Sequence, residues 1–321
     1  MSRAYPPAER PTFYFIGVTT GQSSIMRVFP EWARYLELGA CEIRGIDFPV
    51  GAEPGAYRAA VEFIRDDPLS LGALVTTHKI DLFNAARDLF DEIDPHAALM
   101  GETSCLSKRD GRLVCHAKDP ISSGLALDGF LAAGHFAEQP SSVFIMGAGG
   151  SAMAMTWHLT RPDRGRDRPR KIIISNLDRP RLAHIESIRE QLNPDIPMRL
   201  VAIDGPDTND RILADLPPGS LVVNATGLGK DAPGSPLAAP SFPERGIAWE
   251  LNYRGDLQFL EQARAQRQAR DLQVVDGWTY FIHGWSCVIA EVFGVEVPSR
   301  GPAFEDMSNI AQRARHAAAT S

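Results

Sequence analysis

A cluster of glycines follows a short apolar run in the middle of the chain, at residues 142–152 (SVFIMGAGGSA). The apolar run predicts a strand, and residues 153–159 predict the start of a helix. Gly147 permits a sharp turn between the two, and Gly149 lets backbone N–H groups approach a diphosphate closely at the positive end of the helix. Ala152 takes the third position of a G-x-G-x-x-G pattern, where a small residue is enough for helix packing. The pattern therefore favours a dinucleotide-binding turn over an ordinary glycine-rich turn. The residues assigned to the cofactor on this basis are Gly147, Gly149, Gly150 and Ser151.

Two further residues that could do chemistry lie at the ends of predicted strands in the first half of the chain. Residues 71–77 (LGALVTT) predict an apolar strand that is followed by His78 and Lys79. The D-G pair at 110–111 predicts a turn that feeds a strand ending in Asp119. A charged side chain just past the carboxyl end of a buried strand faces the region where α/β sheets bind ligands. The alternative for both residues is a surface position at a strand end.

The elements that must position these residues alternate between short apolar runs and helical patterns. Such alternation is typical of a parallel sheet with helices on both faces. The predicted strands lie at 13–18, 42–48, 71–77, 171–175, 200–203, 221–224 and 247–251, and the predicted helices at 29–38, 56–65, 125–133, 181–191, 207–214, 278–293 and 303–319. The sequence therefore predicts a two-domain α/β protein. A first domain (1–125, completed by C-terminal helices in 278–321) is joined to a doubly wound Rossmann domain that binds a dinucleotide (126–277).

Composition limits the classes of partner. The 321 residues are 23% charged and 44% hydrophobic, which is typical of a globular protein. A net charge of −7 without a long basic run argues against nucleic acid. No apolar run approaches the roughly 18 residues of a membrane span, and the N-terminus lacks the apolar region of a signal peptide, so we expect a cytoplasmic protein without a membrane partner. The four cysteines show no metal-ligand spacing, so no metal site is predicted. The expected partner is a small-molecule substrate, and a homodimer is left open.

The order of several motifs resembles that of the shikimate/quinate dehydrogenase family over about residues 13–295. The motifs are G-x5-S at 17–23, VTTHK at 75–79, MGETS at 100–104 (usually GAVNT), DGR at 110–112 followed by Asp119, GAGGSA at 147–152, NATGLG at 224–229, YRGDLQFL at 253–260 and GWTYFIHG at 277–284. The resemblance implies the two-domain fold, in which the first domain is the substrate-binding catalytic domain and the dinucleotide of the Rossmann domain is NAD(P). It also implies hydride transfer between a nicotinamide and a ring hydroxyl or ketone of a small cyclic polyhydroxy carboxylate.

The resemblance also implies which residues handle the proton. Oxidation of an alcohol by a nicotinamide removes a proton from the hydroxyl as hydride leaves the carbon, so a base must lie within reach. By resemblance Lys79 is that base or proton shuttle, and Asp119 orients both Lys79 and the substrate hydroxyl.

The substrate contacts implied by the resemblance depart from the family pattern at several positions. Ser23 matches the first serine of an S-x-S pair that holds the ring carboxylate, but Ile25 replaces the second. Ser104 replaces an asparagine, and Gly284 replaces a glutamine beside His283. Thr76 and Thr77 precede the lysine without the usual proline. The residues expected to contact substrate are Ser23, Thr76, Ser104, Tyr253 and His283.

Because discrimination drops when hydrogen-bonding partners in a pocket change, the sequence leaves the exact substrate open. His283 also fits a buried core position on an apolar helix. Two alternatives to a shikimate- or quinate-type activity remain. One is the same chemistry on another hydroxylated or amino-substituted ring acid, and the other is a catalytically silent protein that binds a nucleotide or metabolite.

The choice of cofactor depends on the residues after the second Rossmann strand. Asn176 and Asp178 are expected at the adenine ribose, and Leu177 stands where NADP-using relatives typically carry an arginine. An acid near the ribose favours two hydroxyls over a phosphate. NAD is therefore favoured, with NADP as the alternative through Arg179. Two further residues, Asn224 and Thr226, are expected on the nicotinamide side.

Overall fold

The computed structural model describes residues 5–192, 195–229 and 232–316. Within these ranges the chain forms twelve strands and twelve helices, numbered in chain order. The strands are β1 (Thr12–Gly17), β2 (Glu42–Asp47), β3 (Ser70–Val75), β4 (Glu92–Ile93), β5 (Cys105–Arg109), β6 (Arg112–His116), β7 (Ser142–Met146), β8 (Lys171–Asn176), β9 (Met198–Ala202), β10 (Leu221–Asn224), β11 (Ile247–Glu250) and β12 (Gln273–Val275). The helices are α1 (Ile25–Tyr35), α2 (Pro54–Asp66), α3 (Lys79–Ala86), α4 (Pro95–Met100), α5 (Asp119–Phe130), α6 (His135–Glu138), α7 (Gly150–Thr160), α8 (Arg179–Ile188), α9 (Pro206–Ala214), α10 (Gln258–Arg270), α11 (Trp278–Phe293) and α12 (Pro302–His316). The ends of the predicted domain ranges, at 1–4 and 317–321, and the predicted last turn of the final helix lie outside the described residues.

The chain divides into two compact units. Unit 1 contains the residues up to Lys118 and those from Ile282 onward, and unit 2 contains Asp119–Phe281. The sequence predicts domain boundaries after residue 125 and before residue 278 instead. Helix α5 belongs to unit 2 because it packs closely on α7, where a Cβ on Gly124 would lie 2.4 Å from Nδ1 of His158.

The sheet of unit 1 has the strand order β2-β1-β3-β5-β6-β4. Strands β2, β1 and β3 are parallel, whereas β5 and β6 form an antiparallel hairpin that extends the sheet from β3. Asp110 and Gly111 connect the hairpin with φ values of 51° and 76°. Positive φ at both central residues is the geometry that a D-G hairpin turn requires.

The sheet of unit 2 has the order β12-β11-β10-β7-β8-β9, and every pairing in it is parallel. Strand β7 is buried along its whole length, as its apolar run predicts. Side chains from the sheet and its helices form a core that includes Phe144, Phe242 and Phe259. Together the two sheets and their helices confirm the predicted fold class. No helix among the described residues is both long enough and apolar enough to span a bilayer.

A partly buried charge cluster attaches the second half of α11 to the hairpin of unit 1. Lys118 and Arg109 both donate hydrogen bonds to the Glu291 carboxylate. His116 Nε2 lies 3.5 Å from the same carboxylate. Burial raises the pKa of Glu291, but the bond from Lys118 and the nearby His116 and Arg109 outweigh burial and lower the pKa below its ordinary value. This cluster explains how a C-terminal segment completes an N-terminal unit.

Helix α12 is attached to unit 1 through α1. The apolar residues of α1 recur every three or four positions and are buried, as expected for one face of a helix. Among them Trp32 is 0% exposed, and its Nε1 donates to the carbonyl oxygen of Met307 at 2.9 Å. A buried indole that both packs and donates a hydrogen bond fixes α12 on α1.

We expect Trp32→Phe to lower the free energy of unfolding by about 1–3 kcal/mol, because it leaves a small cavity and removes the donor to Met307. Urea denaturation measures the loss. Tyr35→Phe, at an exposed position on the same helix, is the control and should have little effect. Equal stability of the two variants would contradict this account of the α1–α12 contact.

Candidate active site

The central strands of unit 2 create a place where strand order reverses. From β7 the chain proceeds to β8 and β9 on one side, whereas β10, β11 and β12 lie on the other side. In open α/β sheets, ligands bind outside the carboxyl ends of the strands at such a reversal. The reversal here lies between β7 and β10, directly beside the glycine turn.

The two glycines of the turn differ in the space around them: Gly147 is closely surrounded, whereas Gly149 is not. Gly147 has a φ of +110°, and a Cβ there would lie 2.4 Å from the carbonyl oxygen of Ala225. Gly149 is the N-cap of α7, and a Cβ there would meet no atom within 4 Å. Thus Gly147 is required by the protein's own backbone, and the space at Gly149 is free for a ligand. Gly150 and Ser151 follow in the first turn of α7, so the structure brings the four turn residues together.

A buried polar network orders the carboxyl ends of β10 and β11. Asn224 Nδ2 donates to Glu250 Oε2 at 2.6 Å, and the backbone N–H of Asn252 donates to Glu250 Oε1 at 2.8 Å. Asn224 Oδ1 accepts from Thr226 Oγ1 at 2.7 Å. Glu250 is 0% exposed, so its carboxylate fixes the amide of Asn224 and, through it, Thr226. Sequence reasoning missed Glu250, and its only local signal is an acid at the end of an apolar strand.

The residues after β8 have local partners of their own. Asn176 Oδ1 accepts from the N–H of Leu177 at 3.0 Å. The Asp178 carboxylate accepts from the N–H of Arg181 at 3.4 Å and caps α8. Leu177 is 64% exposed, so its apolar side chain projects into solvent after β8.

Asp119 is the first residue of α5 and lies against the first turn of α7. Ser151 Oγ donates to Asp119 Oδ2 at 3.4 Å. The hydroxyl of Tyr280, in the first turn of α11, lies 3.0 Å from Ser151 Oγ and 3.5 Å from Asp119 Oδ2. The structure therefore joins the expected catalytic acid to the glycine turn through two hydroxyls. Tyr280 is not among the site residues that the sequence predicts.

In unit 1, the structure brings three of the expected residues together at the carboxyl end of β3. The N–H of Val75 donates to the carbonyl oxygen of Ser104 at 2.9 Å, and the N–H of Thr103 donates to that of Lys79 at 3.2 Å. Thr76 follows β3 directly, so Thr76, Lys79 and Ser104 share this edge of the sheet. Ser104 Oγ accepts from the N–H of Lys118 at 2.7 Å.

The turn before Lys79 is strained and rigid. Thr77 has a φ of +61°, which a β-branched residue adopts rarely and at a cost. His78 is 1% exposed, and its Nδ1 lies 2.8 Å from the Tyr57 hydroxyl, while its Nε2 lies 3.2 Å from the carbonyl oxygen of Phe48. The buried histidine thus holds the backbone that presents Lys79 at the start of α3.

Two other polar residues of unit 1 are buried. Ser23 is 4% exposed in the loop after β1, and its Oγ accepts weakly from the N–H of Ile25 at 3.5 Å. Glu102 is 0% exposed and precedes the Thr103 N–H that bonds to Lys79. Charged residues are rarely buried this completely unless they are paired. Sequence reasoning missed Glu102, whose signal was an acid at a normally apolar position of the MGETS motif.

His283 and Tyr253 lie in aromatic surroundings. The ring of His283 is 2% exposed and stacks on Phe304 of α12, with centroids 4.5 Å apart. Burial lowers the pKa of His283 to about 4. Its Nδ1 has no hydrogen-bond partner among the described residues. Tyr253 belongs to unit 2, where its ring packs against Phe281 and Trp278.

Comparison with known proteins finds similarity at the level of structure. No protein-family model matches the sequence, and no curated protein matches it significantly. Shikimate 5-dehydrogenase from Thermus thermophilus, in complex with NADP(H) and shikimate, has a TM-score of 0.66 at 23% identity, covering 94% of this chain and 99% of that one. Quinate dehydrogenase from Corynebacterium glutamicum, in complex with NAD, has a TM-score of 0.69 at 19% identity and coverages of 95% and 99%. The 5-ketofructose reductase of a Gluconobacter species has a TM-score of 0.61 at 16% identity and coverages of 95% and 99%. The chain therefore has the two-domain α/β fold of the shikimate and quinate dehydrogenases.

The two glycines of the turn should respond differently to alanine. Gly147→Ala is expected to lower the free energy of unfolding by about 2 kcal/mol or more, because it adds backbone strain and a contact with Ala225. Gly149→Ala, with open space and a φ of −95°, should change stability by less than about 0.5 kcal/mol. Urea denaturation of both variants checks the contrast, and equal losses would show that the Gly147–Ala225 contact is relaxed in solution.

Burial of His283 should make stability depend on pH. Below about pH 6.5 the unfolded chain protonates this histidine while the folded protein, with a pKa of about 4, does not. The free energy of unfolding of the parent protein should therefore fall more steeply between pH 6.5 and 4 than that of His283→Gln. Parallel pH profiles for the two proteins would contradict the burial of a neutral imidazole.

Proposed function

We propose that the protein is an NAD(P)-dependent oxidoreductase of the shikimate/quinate dehydrogenase type. The observation that carries the proposal is the glycine turn at the strand reversal, where Gly149 leaves open space at the N-terminus of α7. Backbone N–H groups at a helix N-terminus suit a diphosphate, and the fold shared with nucleotide-bound dehydrogenases supports the assignment.

The residues around the turn fit a dinucleotide. Gly147, Gly149, Gly150 and Ser151 would hold the diphosphate, Asn176 and Asp178 the adenine ribose, and Asn224 and Thr226 the nicotinamide side. When bound, the nicotinamide accepts hydride in alcohol oxidation and donates it in ketone reduction. The exposed Leu177 and the nearby acid favour NAD, and Arg179 keeps NADP as the alternative.

We assign the transfer of the substrate hydroxyl proton to Lys79 and Asp119. Lys79 would exchange the proton of the substrate hydroxyl, and Asp119 would orient Lys79 and that hydroxyl. Two features support these roles: the strained turn that fixes Lys79, and the two hydroxyls that hold the Asp119 carboxylate. Glu102 is a further acid beside the Lys79 backbone in unit 1.

The proposed substrate is a small cyclic polyhydroxy carboxylate. Ser23, Thr76 and Ser104 supply hydroxyls in unit 1, and we include His283 and Tyr253 as contacts. Since Ser104 Oγ accepts from Lys118, its own O–H is left to donate to a ligand oxygen. The neutral His283 would offer a hydrogen bond without a charge.

A different small hydroxylated or amino-substituted ring acid is the second candidate. It is favoured by the hydroxyl side chain at 104 and the missing second serine. The 5-ketofructose reductase has a similar fold, so this fold is not confined to enzymes named for shikimate or quinate. Fold alone does not determine a substrate. A silent nucleotide or metabolite binder is the third candidate, and the Lys79–Asp119 pair in the sequence argues against it.

The experiment that tests the assigned chemistry is Lys79→Ala. We expect turnover of the ring hydroxy acid to fall by about 100-fold or more, because proton transfer loses its side chain, while the Kd for the nucleotide stays within about 2-fold. Lys171→Ala is the control for loss of a lysine. Lys171 is the first residue of β8, so it lies at the amino ends of the unit 2 strands, away from the glycine turn at their carboxyl ends. Turnover that survives in Lys79→Ala would remove Lys79 from the mechanism.

A further inference from the structure

Side chains from the first turns of three helices meet in unit 2. Asp119 is the first residue of α5, Ser151 the second of α7 and Tyr280 the third of α11. Their polar atoms lie within 3.0–3.5 Å of one another. The N-terminus of α7 carries a partial positive charge, which favours an anion beside Ser151.

The carboxylate of Asp119 already satisfies part of that preference. Asp119 is 6% exposed, and its Oδ2 is the acceptor for both Ser151 and Tyr280. A diphosphate bound at the glycine turn would bring a second anion to the start of α7. The two anions would then compete for the hydroxyl of Ser151, which has a single proton to donate.

Tyr280 can replace Ser151 as the hydrogen-bond donor to Asp119. Its hydroxyl can donate to Asp119 while Ser151 turns its own proton toward the phosphate. The ring of Tyr280 packs edge-on against Trp249, with centroids 5.6 Å apart, which fixes the hydroxyl over the carboxylate. We propose that Tyr280 is a positioning residue for nucleotide binding, which holds Asp119 so that Ser151 is released to the diphosphate. The inference rests on the proposed function, since it requires a dinucleotide at the glycine turn.

The proposal predicts that Tyr280→Phe weakens NAD binding in the parent protein but has little effect in the Ser151→Ala background. Tyr280→Phe keeps the ring but removes the hydroxyl, so Ser151 stays with Asp119 and the Kd for NAD should rise about 5-fold. Ser151→Ala removes the phosphate donor itself and should raise the Kd by a similar factor. In the Ser151→Ala background, however, there is no Ser151 proton left to release, so adding Tyr280→Phe should change the Kd by less than about 2-fold.

Isothermal titration calorimetry with NAD, and with NADP if NAD does not bind, measures the four Kd values. Tyr35→Phe, which removes an exposed phenol hydroxyl in unit 1, is the matched control and should leave the Kd unchanged. Thermal unfolding of each variant separates a binding effect from loss of fold. If Tyr280→Phe left the Kd unchanged, or raised it equally in both backgrounds, the inference would be overturned while the proposed function stood. If the parent protein bound neither nucleotide, the proposed function would fail together with the inference.

Discussion

The close backbone approach between Gly147 and Ala225 is the constraint on which the candidate nucleotide site depends. A Cβ at residue 147 would overlap the carbonyl oxygen at the end of β10, so only glycine allows the turn after β7 to lie this close. This approach sets the ends of β7 and β10 side by side at the strand reversal. As a result, the turn that leads into α7 lies beside Ala225, the residue that follows Asn224.

Buried polar groups then fix the side chains and turns at the carboxyl ends of the strands. In unit 2, Glu250 orients Asn224 through a bond between fully buried groups, and such a bond is costly to leave incomplete. In unit 1, His78 holds a strained threonine in place so that Lys79 begins α3 at the carboxyl end of β3. Both units therefore support their candidate site residues with a second layer of buried partners, as pre-organised sites require.

The sequence predicts the features that depend on neighbouring residues. The strand before Gly147, the hairpin turn at Asp110 and the apolar helix from Trp278 were all predicted, because their signals are local. The start of α5 at Asp119 was missed, since Pro120 suggests a break, although proline is favourable in the first turn of a helix. Strand β12 was missed because it has only three residues, none of them fully buried.

The polar partners were harder to predict because they are distant in sequence. Glu250 pairs with a residue 26 positions away, and Tyr280 meets Asp119 across 161 positions. No periodicity in the chain reports such a pairing. Tyr280 in particular looks like one more aromatic residue on an apolar helix, and only its hydroxyl contacts separate it from the core.

The measurement that tests the central claim most directly is the absorbance of reduced nicotinamide. Purified protein is mixed with NAD or NADP and with shikimate, quinate or another hydroxylated or amino-substituted ring acid in separate reactions. The account predicts reduction of the nicotinamide with at least one combination, and more readily with NAD than with NADP. Absence of reduction in every combination, by a protein that binds the nucleotide, would contradict the dehydrogenase assignment and favour a silent binding protein.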